Sequence, residues 1–182
     1  MKRTTLILIN VLFPLSTAAF GQQIGTTAAQ FLKLAPNARA AGMGHAFTGL
    51  ADDVNAMYWN PGGLGFLNRY ELGISGQNLF GELLHLTLFG ANTRRMFGTE
   101  RATIGIGLIY LGATQDIQST ENNREAAVGS GEVNSLALLV PFGYRLDPIS
   151  KNVALGINYK LVRNKLADFS ATAHGADLGV LT

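Results

Sequence analysis

The chain has 182 residues, of which 47% are hydrophobic, only 14% are charged and 22 are glycine, and it contains no cysteine. The absence of cysteine excludes disulfides, thiolate metal sites and a cysteine nucleophile. The net charge of +2 depends on Lys2 and Arg3, since 12 basic residues balance 12 acidic ones without them, so we expect no nucleic-acid partner.

The first element has the layout of a secretory signal peptide. Lys2–Arg3 precede the apolar stretch Leu6–Leu15, and the small residues Ala19 and Gly21 lie just before a plausible cleavage point. An apolar stretch of about 10 residues is too short to cross a bilayer as a helix, which needs about 20. We therefore predict a signal peptide at residues 1–21.

Residues 22–67 are rich in alanine and glycine and are predicted to form a plug segment. Two helical turns are expected, at Thr27–Leu34 and near Asp52–Trp59. The second should end at Asn60–Pro61, because proline disfavours helical geometry in the residue before it. Between them, Ala40–Gly44 lacks bulk and could lie closely against other backbone, as a plug inside a barrel requires.

Residues 68–182 contain short runs in which large apolar residues alternate with Gly, Ala, Ser or Thr. Successive side chains of a strand face opposite sides, so each run predicts a strand with one bulky face and one small or polar face. The runs lie at residues 70–75, 84–88, 102–110, 135–144, 153–161 and 176–180.

Charged residues concentrate between these runs. The clear exceptions, Glu71 and Lys160, both fall on the small-residue face. A Lys or Arg facing lipid near the bilayer midplane costs about 2–4 kcal/mol, so a membrane barrel excludes charge from its outer face. A soluble sandwich normally carries charge there. We predict an all-β, antiparallel transmembrane β-barrel at the bacterial outer membrane, with a soluble secreted β-protein as the alternative.

The connections indicate an orientation. The stretch Gly112–Gly131 is about twice as long as Asn92–Glu100 and Asp147–Asn152. Outer-membrane barrels have long outer loops and short periplasmic turns, so the third strand is expected to run outward.

The chain is expected to form only part of a barrel. Five strands and the start of a sixth cannot close, since the smallest outer-membrane barrels have eight strands. We expect an amino-terminal part of a longer protein or a truncated copy, with residues 68–182 forming an incomplete barrel.

A long motif series then suggests a family. Phe31–Gly63 contains Ala-Arg-Ala, Gly-Met-Gly, Ala-Phe, Ala-Asp-Asp and Asn-Pro-Gly-Gly in this order. This series resembles the amino-terminal signature of the PorV/PorQ outer-membrane proteins, which are related to FadL-type transporters. The resemblance implies a barrel of about 14 strands with the amino-terminal segment inside its lumen. It further implies a role in type IX secretion or surface assembly through cargo binding. The alternative is a FadL-like channel for hydrophobic small molecules.

The motif residues provide the structural candidates. They are Arg39, Gly42, Met43, Gly44, Asp52, Asp53, Asn60, Pro61 and Gly62, while Glu71, His85 and Lys160 are candidates for lining the lumen. An unpaired guanidinium inside a barrel is costly, so Glu71 is the expected partner of Arg39, unless Arg39 faces lumen water.

Asp52 and Asp53 lack further carboxylates or histidines at ligand spacing, so they are expected to start a helix or form plug-to-wall salt bridges rather than hold a metal. We expect no catalytic, metal or cofactor site, and no enzyme. The expected partners are outer-membrane lipid, exported cargo or secretion-machinery subunits, and a hydrophobic ligand in the alternative.

Overall fold

A computed structural model describes residues 29–79, 83–92, 101–118, 127–147, 152–166 and 169–182. The predicted signal peptide lies outside these residues, as does the start of the first predicted helix. Residues 29–67, here called the amino-terminal segment, contain two 3-10 turns and two short α-helices. The turns are Gln30–Lys33 and Pro61–Phe66, and the helices are α1 (Ala38–Gly42) and α2 (Ala56–Trp59).

Six strands follow the amino-terminal segment. They are β1 (Glu71–Leu79), β2 (Leu83–Asn92), β3 (Ala102–Gln118), β4 (Ala127–Arg145), β5 (Ala154–Leu166) and β6 (Phe169–Leu181). Each strand pairs antiparallel with the next in a single sheet whose edges are β1 and β6. The predicted fold class is confirmed: a mostly antiparallel β-structure, consistent with part of a barrel, follows a short helical segment.

No helix in the described ranges is both long and apolar enough to cross a membrane.

The two faces of the sheet differ as the alternation predicts. On the bulky face the large apolar side chains are exposed, reaching 75% for Ile74, 59% for Ile106 and 82% for Leu178. The opposite, small-residue face is covered by the amino-terminal segment. The core lies between them and includes Phe47, Met57, Leu64, Phe89, Ile109 and Leu139, all buried.

Strands β3 and β4 are much longer than their neighbours. They contain 17 and 19 residues, whereas β1, β2, β5 and β6 contain 9 to 13. The last pair of β3 with β2 is at Gly112, and the first pair of β4 with β5 is at Val133. Among the described residues, 114–118 and 127–132 therefore pair only with each other, and we call them the projecting ribbon.

The stretch Gly112–Gly131 was expected to be a long connection, but most of it is strand. The connection between β3 and β4 comprises residues 119–126, which lie outside the described residues. The alternation of apolar and small residues stops at Gly112 although the strand continues to Gln118, so the pattern did not identify the rest of β3. The end of the sheet at which β3 ends and β4 begins is called the ribbon rim, and the other end of the sheet is called the opposite rim.

Candidate functional site: the amino-terminal segment on the small-residue face

Two asparagines set the local geometry of the amino-terminal segment. The Asn37 side chain accepts a hydrogen bond from the Ala40 N–H (2.6 Å) and caps α1. The Asn60 side chain accepts one from the Gly62 N–H (3.1 Å) and caps the 3-10 turn that begins with Pro61. Proline suits this first position because its fixed φ is helical and its missing N–H has no partner there. Helix α2 ends at Trp59, just before Asn60 and Pro61, as predicted, but it begins at Ala56 and not near Asp52.

The 3-10 turn Pro61–Phe66 lies on a row of three glycines. Gly143, Gly156 and Gly179 are directly opposite one another across β4, β5 and β6. A Cβ on Gly143 would lie 2.7 Å from the backbone nitrogen of Gly65, and one on Gly156 or Gly179 would overlap the backbone of the turn itself. Glycine is therefore required here by the close approach of two backbones.

The same close packing is absent where the sequence led us to expect it. Gly42, Met43 and Gly44 are exposed, and a Cβ on either glycine would meet no atom within 4 Å. The expectation of close packing along Ala40–Gly44 is wrong except for the buried Ala40. Gly44 instead serves a turn, since it has a φ of +62° and is followed by His45 at 69°.

Polar side chains of β5 and β6 fasten α2 to the sheet. Asn158, fully buried, donates from Nδ2 to the Met57 carbonyl (3.0 Å) and to the Asp177 carboxylate (3.1 Å). Lys160 pairs with Asp177 at 2.7 Å, and its ammonium lies 5.7 Å from the centre of the Tyr58 ring. Burial, with a smaller effect of Asp177, raises the pKa of Tyr58, so its phenol stays neutral.

Asn60, one of the candidate residues of the Asn-Pro-Gly-Gly motif, makes a further contact with the sheet. Its Nδ2 donates to the Thr48 carbonyl (3.1 Å) and to the Val180 carbonyl of β6 (3.0 Å). Asn60, Pro61 and Gly62 are all buried. The Asn-Pro-Gly part of this motif therefore packs against the sheet.

The first two strands hold the start of the segment. Gln77 donates to the Ala35 carbonyl (2.8 Å) and contacts His85 Nδ1 (2.7 Å), and Thr87 donates to the Pro36 carbonyl (2.8 Å). His85 is 1% exposed on the small-residue face. The predicted lining candidates His85, Glu71 and Lys160 thus share that face, where each touches the segment or a residue that binds it.

Arg39 does not pair with Glu71, which corrects that expectation. Its guanidinium binds Asp52 through both terminal nitrogens, at 2.6 and 2.9 Å, and Asp53 at 2.7 Å. Glu71 instead accepts from the Val54 N–H (2.7 Å) and from Arg69 (2.8 Å). The reason is that α1 folds back over residues 52 and 53 on the exposed side of the segment.

Asp52 and Asp53 therefore form ion pairs within the amino-terminal segment, here called the Arg39 clasp, and not plug-to-wall bridges. The hydrogen bond from Arg39 lowers the pKa of Asp52 and raises that of Arg39. Asp53 also accepts from the Asn55 N–H at 2.8 Å, but no side chain caps α2, whose first turn contains no acidic residue, so the helix-start alternative is wrong too. In the described part of the chain, no three His, Asp or Glu side chains come together in a way that could hold a metal ion.

Sequence reasoning missed most of the anchoring residues: Gln77, Thr87, Asn158 and the three glycines. Their signal was limited to position, since each lies on the small-residue face of a strand. Which backbone group each one meets depends on the path of the segment, which no local pattern encodes.

Comparison with known proteins supplies the family. The sequence model of the family described as "Type IX secretion system protein PorV" matches residues 17–179. No curated protein and no solved structure matches the chain at a significant level. The matched range contains the amino-terminal segment and all of the sheet except the last residues of β6. The chain therefore belongs to the PorV family of type IX secretion system proteins.

Proposed function

We propose that this chain forms part of an outer-membrane β-barrel that assists type IX secretion by binding exported cargo at the ribbon rim. The observation that carries the membrane placement is the exposure of the bulky face. Ile74, Ile106 and Leu178 have no covering layer in the described part of the chain. Such a surface is stable against hydrocarbon but is an aggregation hazard in water.

The projecting ribbon supports a role in protein binding. Beyond Gly112 and Val133, each ribbon strand has a neighbour on one side only within the described residues. Free strand edges offer backbone donors and acceptors to an added strand of a partner. We therefore assign cargo binding to the ribbon.

The covered small-residue face also favours protein binding over transport. The amino-terminal segment contacts this face through the glycine row, Asn158 and Thr87. Space for a solute passing along that face is reduced where the two backbones touch.

Substitution of Ile106 by Arg tests the membrane placement. At a lipid-facing midplane position the change should cost about 2–4 kcal/mol and lower the amount of protein in the outer-membrane fraction. Thr172→Arg, near the ribbon rim of β6, is the matched control and should have little effect. Normal yield of Ile106→Arg, or recovery of the native chain in the periplasmic supernatant, would contradict the placement.

Shortening the ribbon tests cargo binding. Ala113 and Val133 are paired, so residues 114–132 can be replaced by Asn-Gly, which favours a two-residue hairpin. This variant should reach the outer membrane but lose cross-linking to exported cargo. Replacement of residues 148–151, which follow β4 in the sequence, by glycine and serine is the control. Undiminished cross-linking in the ribbon variant would exclude the ribbon as the cargo site.

An apolar groove supports a second candidate, a FadL-like channel for hydrophobic small molecules. The groove has a volume of about 520 Å³ and is lined mainly by Gly90, Ile104, Ile106 and Val140. It lies where the β3–β4 pairing is interrupted, because Pro141 has no N–H to donate.

Filling the groove separates this candidate from the first. Gly90→Leu should abolish binding of a fluorescent fatty acid if the groove is a ligand entrance, while leaving cargo cross-linking unchanged. A native protein that binds no fatty acid would exclude the channel.

A further inference from the structure

Strand β5 changes character on its bulky face as it approaches the ribbon rim. From Leu155 to Leu161 the outward positions are apolar or aromatic, and the next two outward positions are Arg163 and Lys165. All of them lie on one face because side chains of a strand alternate. Both cationic residues are exposed. The bulky face thus ends in two positive charges at this rim.

The neighbouring strands become polar at the level of Lys165, which lies between Asn134 on β4 and Ser170 on β6. Arg163 lies at the edge of the apolar band, between Leu136 on β4 and Thr172 on β6. Hydroxyl and amide groups can add hydrogen bonds to an anion held by the two cations. The change in polarity therefore crosses three strands.

Tyr110 marks this boundary, since the strand pairing places it at the level of Leu136 and Arg163. Its hydroxyl donates to Asn134 Oδ1 (2.6 Å), whereas Tyr159 lies within the apolar band, with its hydroxyl 2.5 Å from His174 Nδ1. Tyrosine places an apolar ring against hydrocarbon and a polar tip in the headgroup region. Arg163 and Lys165 are therefore at the level where headgroups begin.

Within the ranges that the structure describes, Arg163 has no ion-pair partner. At the opposite rim, Arg101 and Arg145 share Asp147, at 3.5 and 2.6 Å. A positive charge without a partner next to an apolar band is costly unless an anion meets it there.

We propose that Arg163 and Lys165 bind a phosphate group of a lipid headgroup in the leaflet at the ribbon rim. The inference rests on the proposed membrane placement. A guanidinium can bind two phosphate oxygens at once, and an ammonium about 6.6 Å farther along the strand can meet a third. The acyl chains of the same lipid lie along Leu161 and the apolar positions below it.

A lipid fits this site better than free phosphate does. Both cations are on an open, exposed surface, where a small anion would remain hydrated and weakly held. A lipid is also retained by its chains against the bulky face, so that a modest interaction with the headgroup is sufficient.

Native mass spectrometry of the full chain in detergent tests the proposal, with bisphosphorylated lipid A and its dephosphorylated form as probes. The native protein should prefer the phosphorylated form. Arg163→Gln and Lys165→Gln should each weaken its binding about three- to tenfold, the range expected for one exposed charge-assisted hydrogen bond. Arg69→Gln, an exposed cation before β1, is the matched control and should bind normally.

Three results would overturn the proposal. Equal binding of the two lipid A forms, or native affinity in the Arg163→Gln, Lys165→Gln double variant, would overturn the proposal. Complete displacement of the lipid by millimolar inorganic phosphate would reassign the site to free phosphate and likewise overturn it. These results leave the membrane placement intact if the native chain still fractionates with the outer membrane, whereas a periplasmic chain would contradict that placement itself.

Discussion

The backbone of Gly156 on β5 lies directly against the backbone of Pro61 in the amino-terminal segment, with no room for a side chain between them. Gly156→Ala places a Cβ where the carbonyl group of Pro61 and the nitrogen of Gly62 now lie. Because backbone cannot rotate away as a side chain can, we expect a loss of about 1–3 kcal/mol in unfolding free energy. The guanidinium unfolding midpoint in detergent measures it.

A second glycine of the same sheet is the control for that substitution. A Cβ on Gly175 of β6 would meet only the Lys160 Cβ, at an ordinary contact distance of 3.8 Å. Gly175→Ala should therefore stay within about 0.5 kcal/mol of the native protein. Equal effects of the two substitutions would show that backbone contact with the amino-terminal segment does not limit the residue at position 156.

Asn158 is expected to contribute through its hydrogen bond to the Met57 carbonyl. Asn158→Leu keeps a similar size but leaves that buried carbonyl without its donor, which should cost about 1–3 kcal/mol. Limited proteolysis should then cut the amino-terminal segment faster. Asn78→Leu, at an exposed position of β1, is the matched change and should leave the cutting rate as it is.

The Arg39 clasp should depend on pH in one direction only. The hydrogen bond from Arg39 lowers the pKa of Asp52, so its stabilising contribution is complete above the unfolded value of about 4 and is lost as the pH falls through the lowered value. No loss is expected at alkaline pH, because the pKa of Arg39 is raised.

Three variants measure this clasp. Since the pair is largely exposed, Arg39→Ala should cost less than about 1 kcal/mol at neutral pH. Asp52→Asn should reduce the difference in unfolding midpoint between pH 7 and pH 3, and Arg39→Lys should fall between native and Arg39→Ala. A larger cost for Arg39→Ala than for Gly156→Ala would contradict the view that contacts with the sheet dominate.

The strands could be predicted because both faces of the sheet constrain the sequence. Alternation at Ala102–Tyr110 and Val153–Leu161 reflects a covered small-residue face and an exposed bulky face, so period two identified strands and faces together. The alternation ends at Gly112, and the polar residues Gln115 and Asp116 follow it, so the projecting ribbon was expected to be a loop.

The candidate site could be predicted only in part. Asn60 and Pro61 were identified as a helix end because capping and proline effects are local. The predicted partner of Arg39 was wrong. Asp52 and Asp53 are 13 and 14 residues away in the sequence, and they come close to Arg39 only once the segment has folded back. The sequence shows that positions 143, 156 and 179 are small residues of strands. It does not show which part of the chain packs on them, because that contact depends on tertiary structure.

The most direct test of the account is the environment of the bulky face. Because the chain has no native cysteine, single nitroxide labels can be placed at Ile74, Ile106 or Ile157, with Ser75 on the other face as the control. In reconstituted membranes, we expect the three isoleucine positions to be relaxed far more by lipid-soluble oxygen than by a water-soluble nickel complex. Stronger relaxation by the nickel complex at these positions, or protection from both reagents by a second protein layer, would contradict the membrane placement.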